Sequence, residues 1–302
     1  MRVFVTGATG MIGRRALPAL VGAGHVVTAV ARGGVKAELV RSVGATPIEV
    51  DLFDPSSVRD AAAGHEAVIH LATNIPPMRK AARPKAWDVN ERLRREASNH
   101  LVDAALATGA ARYVQESICF PYLDQGDRWI DEDSPVEHVG AFAGAADAEA
   151  AAARFTAGGG IGVVLRFAQL HGSGSSHVDT FNALARKRIN PFVGDPAAYT
   201  SFVHADDAGT AVAAALTIPS GIYNVADDAP LTRAEAGLIV AEALGVKPPK
   251  AIPAPLRAVT PSSGKLLMRS LRISNRRFKE ASGWVPQHPS IRGSWATSSP
   301  RS

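Results

Sequence analysis

Residues 1–15 read MRVFVTGATGMIGRR. An apolar run, Val3 to Val5, enters a turn with glycines at Gly7, Gly10 and Gly13, and a helix-compatible segment follows. A strand that feeds a glycine turn and then a helix brings backbone N–H groups and the positive end of a helix dipole to one point. Positions without a side chain at Gly7 and Gly10 let a pyrophosphate approach that point, and Gly13 lets the helix pack close to the sheet. A tight structural turn would use the same spacing, so its meaning depends on the rest of the chain.

The rest repeats the unit. Strands are expected at Arg2–Thr6, Val26–Arg32, Pro47–Asp51, Ala67–Leu71, Arg112–Glu116 and Gly162–Phe167. Most are near-continuous apolar runs, as in a parallel sheet buried on both faces. Helices are expected between them at Met11–Ala23, Lys36–Val43, Pro55–Ala63, Asn90–Ala107 and Ala145–Ala157. This alternation predicts an α/β fold with a doubly wound parallel Rossmann sheet. Pro18 removes a hydrogen bond inside the first helix and should kink it.

Beyond residue 172 the pattern changes. HGSGSSH (171–177) is a loop, and KRINPFVGDPAAYTSF (187–202) is irregular. FVHADDAGTAVAAAL (202–216) reads as a short strand entering a helix. GIYNVADDAPLTRAEAGLIVAEALG (221–245) reads as strand, turn and helix, with Thr232 as N-cap and Gly245 as stop. We therefore assign residues 1–172 to a nucleotide-binding domain, to which 201–229 return. Residues 173–200 and 230–302 are assigned to a smaller substrate-capping lobe. A Pro-rich stretch, KPPKAIPAPL (247–256), leads into the basic segment, and WATSSPRS (295–302) reads as frayed.

The chain has 302 residues, 46% hydrophobic and 20% charged, enough to bury a full core. No apolar run approaches the ~18–20 residues that cross a bilayer. The amino terminus reads as a strand and not as a leader, and a cytoplasmic protein is expected. A lone cysteine, Cys119, excludes an internal disulfide, and no Cys/His spacing suggests a metal. Residues 247–302 hold eleven Lys or Arg against one acid, Glu280, whereas residues 1–246 are net acidic. A solvated basic surface or a lobe that meets an anionic substrate both fit. RSLRISNRRFK (269–279) lacks interleaved aromatics, which argues against nucleic acid.

With these segments in place, the chain resembles the extended short-chain dehydrogenase/reductase family, in its NAD-dependent epimerase/dehydratase branch. TGATGMIG (6–13) is similar to the family's TGxxGxxG turn, VDLFD (50–54) to its adenine-side element and IHLAT (69–73) to the segment beside the cofactor ribose. FVHADDAGTAV, YNVADD and ISNRRFKEASGWVP are similar to three later landmarks. The resemblance implies cofactor contacts from Thr6, Gly7, Gly10, Met11, Ile12, Gly13, Asp51, Leu52, Leu71, Ala72 and Thr73. Asp51 would face the adenine amino group and Leu52 pack on the ring. The second strand ends in Arg32 where a carboxylate would select NAD, and a guanidinium there suits the 2′-phosphate of NADP. The resemblance also implies pairing of the fourth and fifth helices, hence a homodimer.

The chain departs from the family in its catalytic set. The family uses a Ser or Thr, a Tyr acid/base, and a Lys four residues later that lowers the Tyr pKa. Ser117 fits the first role. In HVGAFAGAADAEAAAARF (138–155), Ala141 or Phe142 falls at the Tyr and Ala145 or Ala146 at the Lys. Tyr122, five residues after Ser117, is the substitute proton donor, with Asp124 and His138 behind it. Cys119 is read as a small apolar residue, and His204, Asp206 and Asp207 as structural residues near the join between lobes. The expected function is an NADP(H)-binding oxidoreductase or epimerase/dehydratase-like enzyme acting on a small carbonyl or hydroxyl substrate. The alternatives are a non-catalytic NADP-binding sensor and a non-redox lyase or cyclase.

Overall fold

The computed structural model describes residues 1–81, 83–250 and 266–295. Residues 251–256 of the Pro-rich stretch and residues 296–302 of the expected frayed end lie outside the described residues.

The first half alternates as expected: β1 (Arg2–Thr6), α1 (Gly13–Gly22), β2 (Val26–Val30), α2 (Gly34–Ser42), β3 (Thr46–Ile48), α3 (Pro55–Ala62) and β4 (Ala67–His70). After α4 (Met78–Ala81) come α5 (Asp88–Arg92), α6 (Ser98–Ala107), β5 (Arg112–Ile118), β6 (Trp129–Ile130), α7 (Gly144–Ala157) and β7 (Ile161–Phe167). The remainder holds β8 (Gln169–His171), α8 (Ser176–Arg186), β9 (Tyr199–Thr200), β10 (Phe202–His204), α9 (Ala205–Ala214), β11 (Gly221–Val225), β12 (Leu231–Thr232) and α10 (Arg233–Ala243). Last come β13 (Arg272–Ile273) and α11 (Arg276–Ser282).

Seven strands form one parallel sheet in the order β11-β7-β5-β4-β1-β2-β3. The order reverses between β1 and β4, so their carboxyl ends open onto a crevice where ligands of such sheets bind. Strand β1 shows why the sheet is two-sided. Val3 and Val5 enter one core with Leu17, Leu20 and Val212, while Phe4 enters the other with Leu101, Tyr113 and Phe155. Helices α1 and α9 cover the first face; α3, α6 and α7 cover the second. A third core, built on Phe181, Phe192, Phe202, Val240 and Trp295, is separate from the two that flank the sheet. Trp295 is fully buried, which corrects the expectation of a frayed end at that residue. Residues 221–225 do return to the sheet, as its β11 edge.

Three local departures have physical reasons. Pro18 sits inside α1 on its exposed side, where water can satisfy the carbonyl that loses a partner, and the helix continues through it. The expected helix at 90–107 is interrupted by a π-helical segment, Leu93–Ala97. The third strand ends at Ile48 and not Asp51, leaving Asp51 exposed in the following turn. Thr232 caps α10 in a reciprocal capping box with Glu235, and Gly245 follows it at φ +64°. No helix among the described residues is long and apolar enough to cross a membrane.

Candidate active site and cofactor cradle

The glycine turn is built by exclusion of side chains. Gly7 has φ +69°, and a Cβ there would overlap the main chain of Leu71 and Ala72 at the end of β4. A Cβ on Gly13 would overlap the Gly7 carbonyl and Ala8. Gly10 differs: it is exposed, and its Cβ would meet only the Gly7 carbonyl, at 3.1 Å. The Gly10 amide donates to that carbonyl at 3.0 Å, closing the turn. Helix α1 begins after Ile12 with no side-chain cap and no acid in its first turn, so its positive end faces the crevice uncompensated. These features fit the pyrophosphate of a dinucleotide.

The other expected cofactor residues divide into three groups. Met11, Leu52 and Ala72 are half-buried and Thr73 is exposed, whereas Ile12 and Leu71 are buried. Asp51 is exposed, with Oδ1 accepting from the Phe53 amide at 2.9 Å. Arg32 is exposed past the end of β2, beside a loop held by the Glu49 carboxylate accepting from the Gly33 amide at 2.9 Å. Thr6 is a correction in detail. It is fully buried, and its hydroxyl donates to His70 Nδ1 at 2.6 Å, while His70 Nε2 donates to the Leu93 carbonyl at 3.2 Å. Thr6 therefore positions the turn through His70, and its hydroxyl does not face a ligand.

At the rim of β5 and β7 lies a buried polar network. Ser117 donates its hydroxyl proton to Glu149 Oε1 at 2.7 Å. Arg166 clamps the Glu149 carboxylate from β7 at 2.8 and 2.6 Å, and also donates to the Tyr122 oxygen at 2.8 Å. Tyr122 in turn donates to Asn224 Oδ1 at 2.9 Å. Ser117 and Tyr122 are both 0% exposed. Burial pushes the Tyr122 phenol well above its ordinary range. The expectation that Tyr122 serves as an open proton donor is thus corrected, because its ring is packed and its only proton is engaged. The Ser117 hydroxyl is engaged in the same way. Cys119 is buried with its thiol pushed up, as a small apolar residue would be placed. Asp124 is also engaged, accepting from Gly126 and Ser270 amides.

Sequence reading missed five members of this region. Arg94 projects inward from the π-helical segment and forms a buried pair with Glu116 on β5 at 2.9 Å. Glu149 and Arg166 form the second buried pair. Glu91 on α5 lies against the start of α7, where a Cβ on Gly144 would come within 2.6 Å of its Oε2. Its Oε1, Arg94 Nη1 and His138 Nε2 are buried without a hydrogen bond, the last standing 3.9 Å from Glu149 Oε2. Burial raises the Glu91 carboxyl and lowers the His138 imidazole. The signal was present in the sequence as single charges inside apolar segments, such as Arg166 in GVVLRF (162–167).

Where the resemblance implies Tyr and Lys, the structure shows an aromatic wall. Phe142 stacks on Phe120 (centroids 5.4 Å apart, 17°) and meets the edge of Trp87 at 6.4 Å. Ala145 is fully buried, and Ala146 is exposed. At the lobe junction, Asp207 accepts from the Gln287 and His288 amides at 2.7 and 2.9 Å and so ties the carboxy-terminal segment to α9. The fold also gathers His204, Asp206 and His288, whose ligand atoms lie within 4.8 Å of one another, a grouping that sequence spacing did not reveal. Arg15 occupies Asp206 Oδ1 there, at 2.7 Å.

A seven-stranded parallel sheet with an uncapped helix over a glycine turn defines a dinucleotide-binding Rossmann protein. The chain belongs to the NAD-dependent epimerase/dehydratase family, whose sequence profile matches residues 3–226. It is 37% identical over 306 residues to the 3-diazoavenalumate denitrifying reductase of a Streptomyces species, covering 97% of this chain and 98% of that one. Among solved structures it is similar to UDP-glucose 4-epimerase from Thermus thermophilus, complexed with NAD (TM-score 0.76, 24% identity, 99% and 97% covered). The Thermotoga maritima UDP-glucose 4-epimerase with UDP-glucose is also similar (TM-score 0.74, 18% identity, 99% and 97% covered). The structural likenesses are likenesses of fold. Family and reductase relative together make this chain an NAD(P)-dependent oxidoreductase or epimerase-like protein.

Proposed function

We propose that the chain is an NADP(H)-dependent reductase that removes nitrogen from an aromatic diazo compound by replacing it with hydrogen. One observation carries the reading: neither hydroxyl of the rim is free to give its proton to a substrate. Phe142 and Ala145 lie where an acid and its cation would be, and the Ser117 and Tyr122 hydroxyls already donate to Glu149 and Asn224. A carbonyl acceptor needs a proton at oxygen as it is reduced. An arenediazonium does not: a C–H bond forms at the ring carbon, the C–N bond breaks, and dinitrogen leaves with the bond's electron pair. The full-length similarity to a denitrifying reductase supports this choice.

A reduced nicotinamide bound in the crevice would supply the hydride. The chain's part is to hold and to exclude. Gly7, Gly10 and the α1 terminus seat the pyrophosphate, Asp51 and Leu52 the adenine, and Arg32 the 2′-phosphate that distinguishes NADP. The Phe142–Phe120 stack offers a flat apolar face on which an arene can lie, and orientation of this kind can itself supply much of a rate enhancement. We further expect a homodimer through the exposed sides of α6 and α7, which light scattering checks.

The test is to mix purified protein, nicotinamide-deuterated NADPH and an arenediazonium salt that carries no acidic ring substituent. The expected result is NADPH oxidation, dinitrogen release, and one deuterium at the carbon that carried nitrogen. A hydrazine product, or no oxidation of NADPH, overturns the reading. Calorimetric titration of NADPH and NADH into wild type and Arg32→Ala tests the cofactor, with equal affinities counting against NADP.

A further inference from the structure

Resting on that reading, we infer that Glu91 is the counter-charge for a positively charged aromatic substrate that lies against the ring cluster of Phe142, Phe120 and Trp87. The charges of the buried rim balance in pairs, Arg94 with Glu116 and Arg166 with Glu149. Glu91 has no such ion pair: a hydrogen bond from the Gly144 amide, with Arg94 and Arg95 nearby, only partly offsets its burial, and Asp147 adds a like charge. No ammonium occupies the first turn of α7, where Ala145 and Ala146 stand. A cation entering here meets an acid that lacks a full partner, with Oε1 buried and unbonded.

The aromatic faces lie at the same place. Trp87 and Glu91 are four residues apart on one helical run and so share a side of it. Trp87 touches Phe142, and Glu91 touches Gly144 two residues later. Carboxylate and rings therefore converge on the segment 142–144. Glycine at 144 is what admits Glu91 so closely, since a Cβ would be 2.6 Å from Oε2 and 3.2 Å from the Arg94 Cβ. A carboxylate beside ring faces recognises a flat organic cation, by charge at one end and by cation–π attraction along the rest. Among diazo species the arenediazonium is the cationic one, so the site selects that form over a neutral arene of equal shape.

An aryl nitrile is the neutral isostere of an arenediazonium, which makes the test specific. Binding of both is read from Trp87-containing tryptophan fluorescence with NADP⁺ present, so that no reduction occurs. Wild type is expected to prefer the diazonium by about tenfold. Glu91→Gln should lose that preference while binding the nitrile, NADPH and NADP⁺ as wild type does, and Glu91→Asp should restore part of it. Equal weakening of diazonium and nitrile makes Glu91 structural and overturns the inference, as does a preference that survives Glu91→Gln. A loss confined to NADP⁺ reassigns Glu91 to the oxidised cofactor and also overturns it. Absence of turnover with NADPH refutes the reductase reading separately, because the binding preference is measured without turnover.

Discussion

His70 links acidity to the stability of the cofactor turn. It is fully buried at the end of β4, and burial lowers its pKa from 6.5 to about 4, with Arg94 adding to the depression and the Leu93 carbonyl opposing it. The neutral ring accepts from Thr6 at Nδ1 and donates to Leu93 at Nε2, so it needs one lone pair and one proton. As pH falls through 6.5 the unfolded chain takes up a proton that the folded chain refuses until about 4. Stability from this group is therefore complete above 6.5 and is lost between 6.5 and about 4. That interval is worth about 3 kcal/mol in total, and about 2 kcal/mol by pH ~5. The assay is urea unfolding of wild type and His70→Gln from neutrality downward. Gln offers a donor and an acceptor without titrating, and the contributions of His171 and His204, also depressed, cancel in the difference. Wild type should be the more stable at neutrality by about 1 kcal/mol, and its advantage should shrink and reverse as pH falls. A difference that stays constant with pH would refute the reasoning.

Gly13→Ala should cost ~1–3 kcal/mol or more in stability because its Cβ overlaps immobile main chain, whereas Gly10→Ala should fold almost normally and lose NADPH affinity; melting curves and titrations separate the two. Glu149→Gln removes the acid that Arg166 and Ser117 share and should cost about 3–5 kcal/mol, against ~1–2 for Ser117→Ala, as read by chemical unfolding. Phe142→Tyr should leave reductase turnover within about twofold of wild type, because no cation stands beside the new phenol to lower its pKa; a large gain in steady-state rate would show that a proton is needed after all.

The fold was legible because its signals are local. The glycines at 7, 10 and 13 and the apolar runs at 2–6, 67–71 and 162–167 each specify backbone geometry without reference to distant residues. Ser117, expected just past a strand ending at Glu116, lies inside β5 with its hydroxyl on Glu149. Tyr122 was not placed correctly, since five residues of separation say nothing about which way a ring points, and Asn224, which takes its proton, is 102 residues away. Arg94, Glu116, Glu149 and Arg166 escaped because each looks like an isolated charge until the sheet order brings β5 beside β7. The interruption at Leu93 carries no Gly or Pro; it follows from the demands of His70 and Glu116 on either side, which are tertiary.

That interruption also sets two rotational phases along one rod. A π-helical turn holds an extra residue, and each residue of an α-helix advances about 100°. Upstream of Leu93, the run that carries Trp87 and Glu91 is therefore indexed separately from the downstream run that seats Leu101, Val102 and Ala105 in the core. Substitutions upstream can retune the Trp87–Phe142 contact while the buried stripe keeps its register. Removing one residue from 93–97 would couple the two halves again and swing Glu91 away from Gly144.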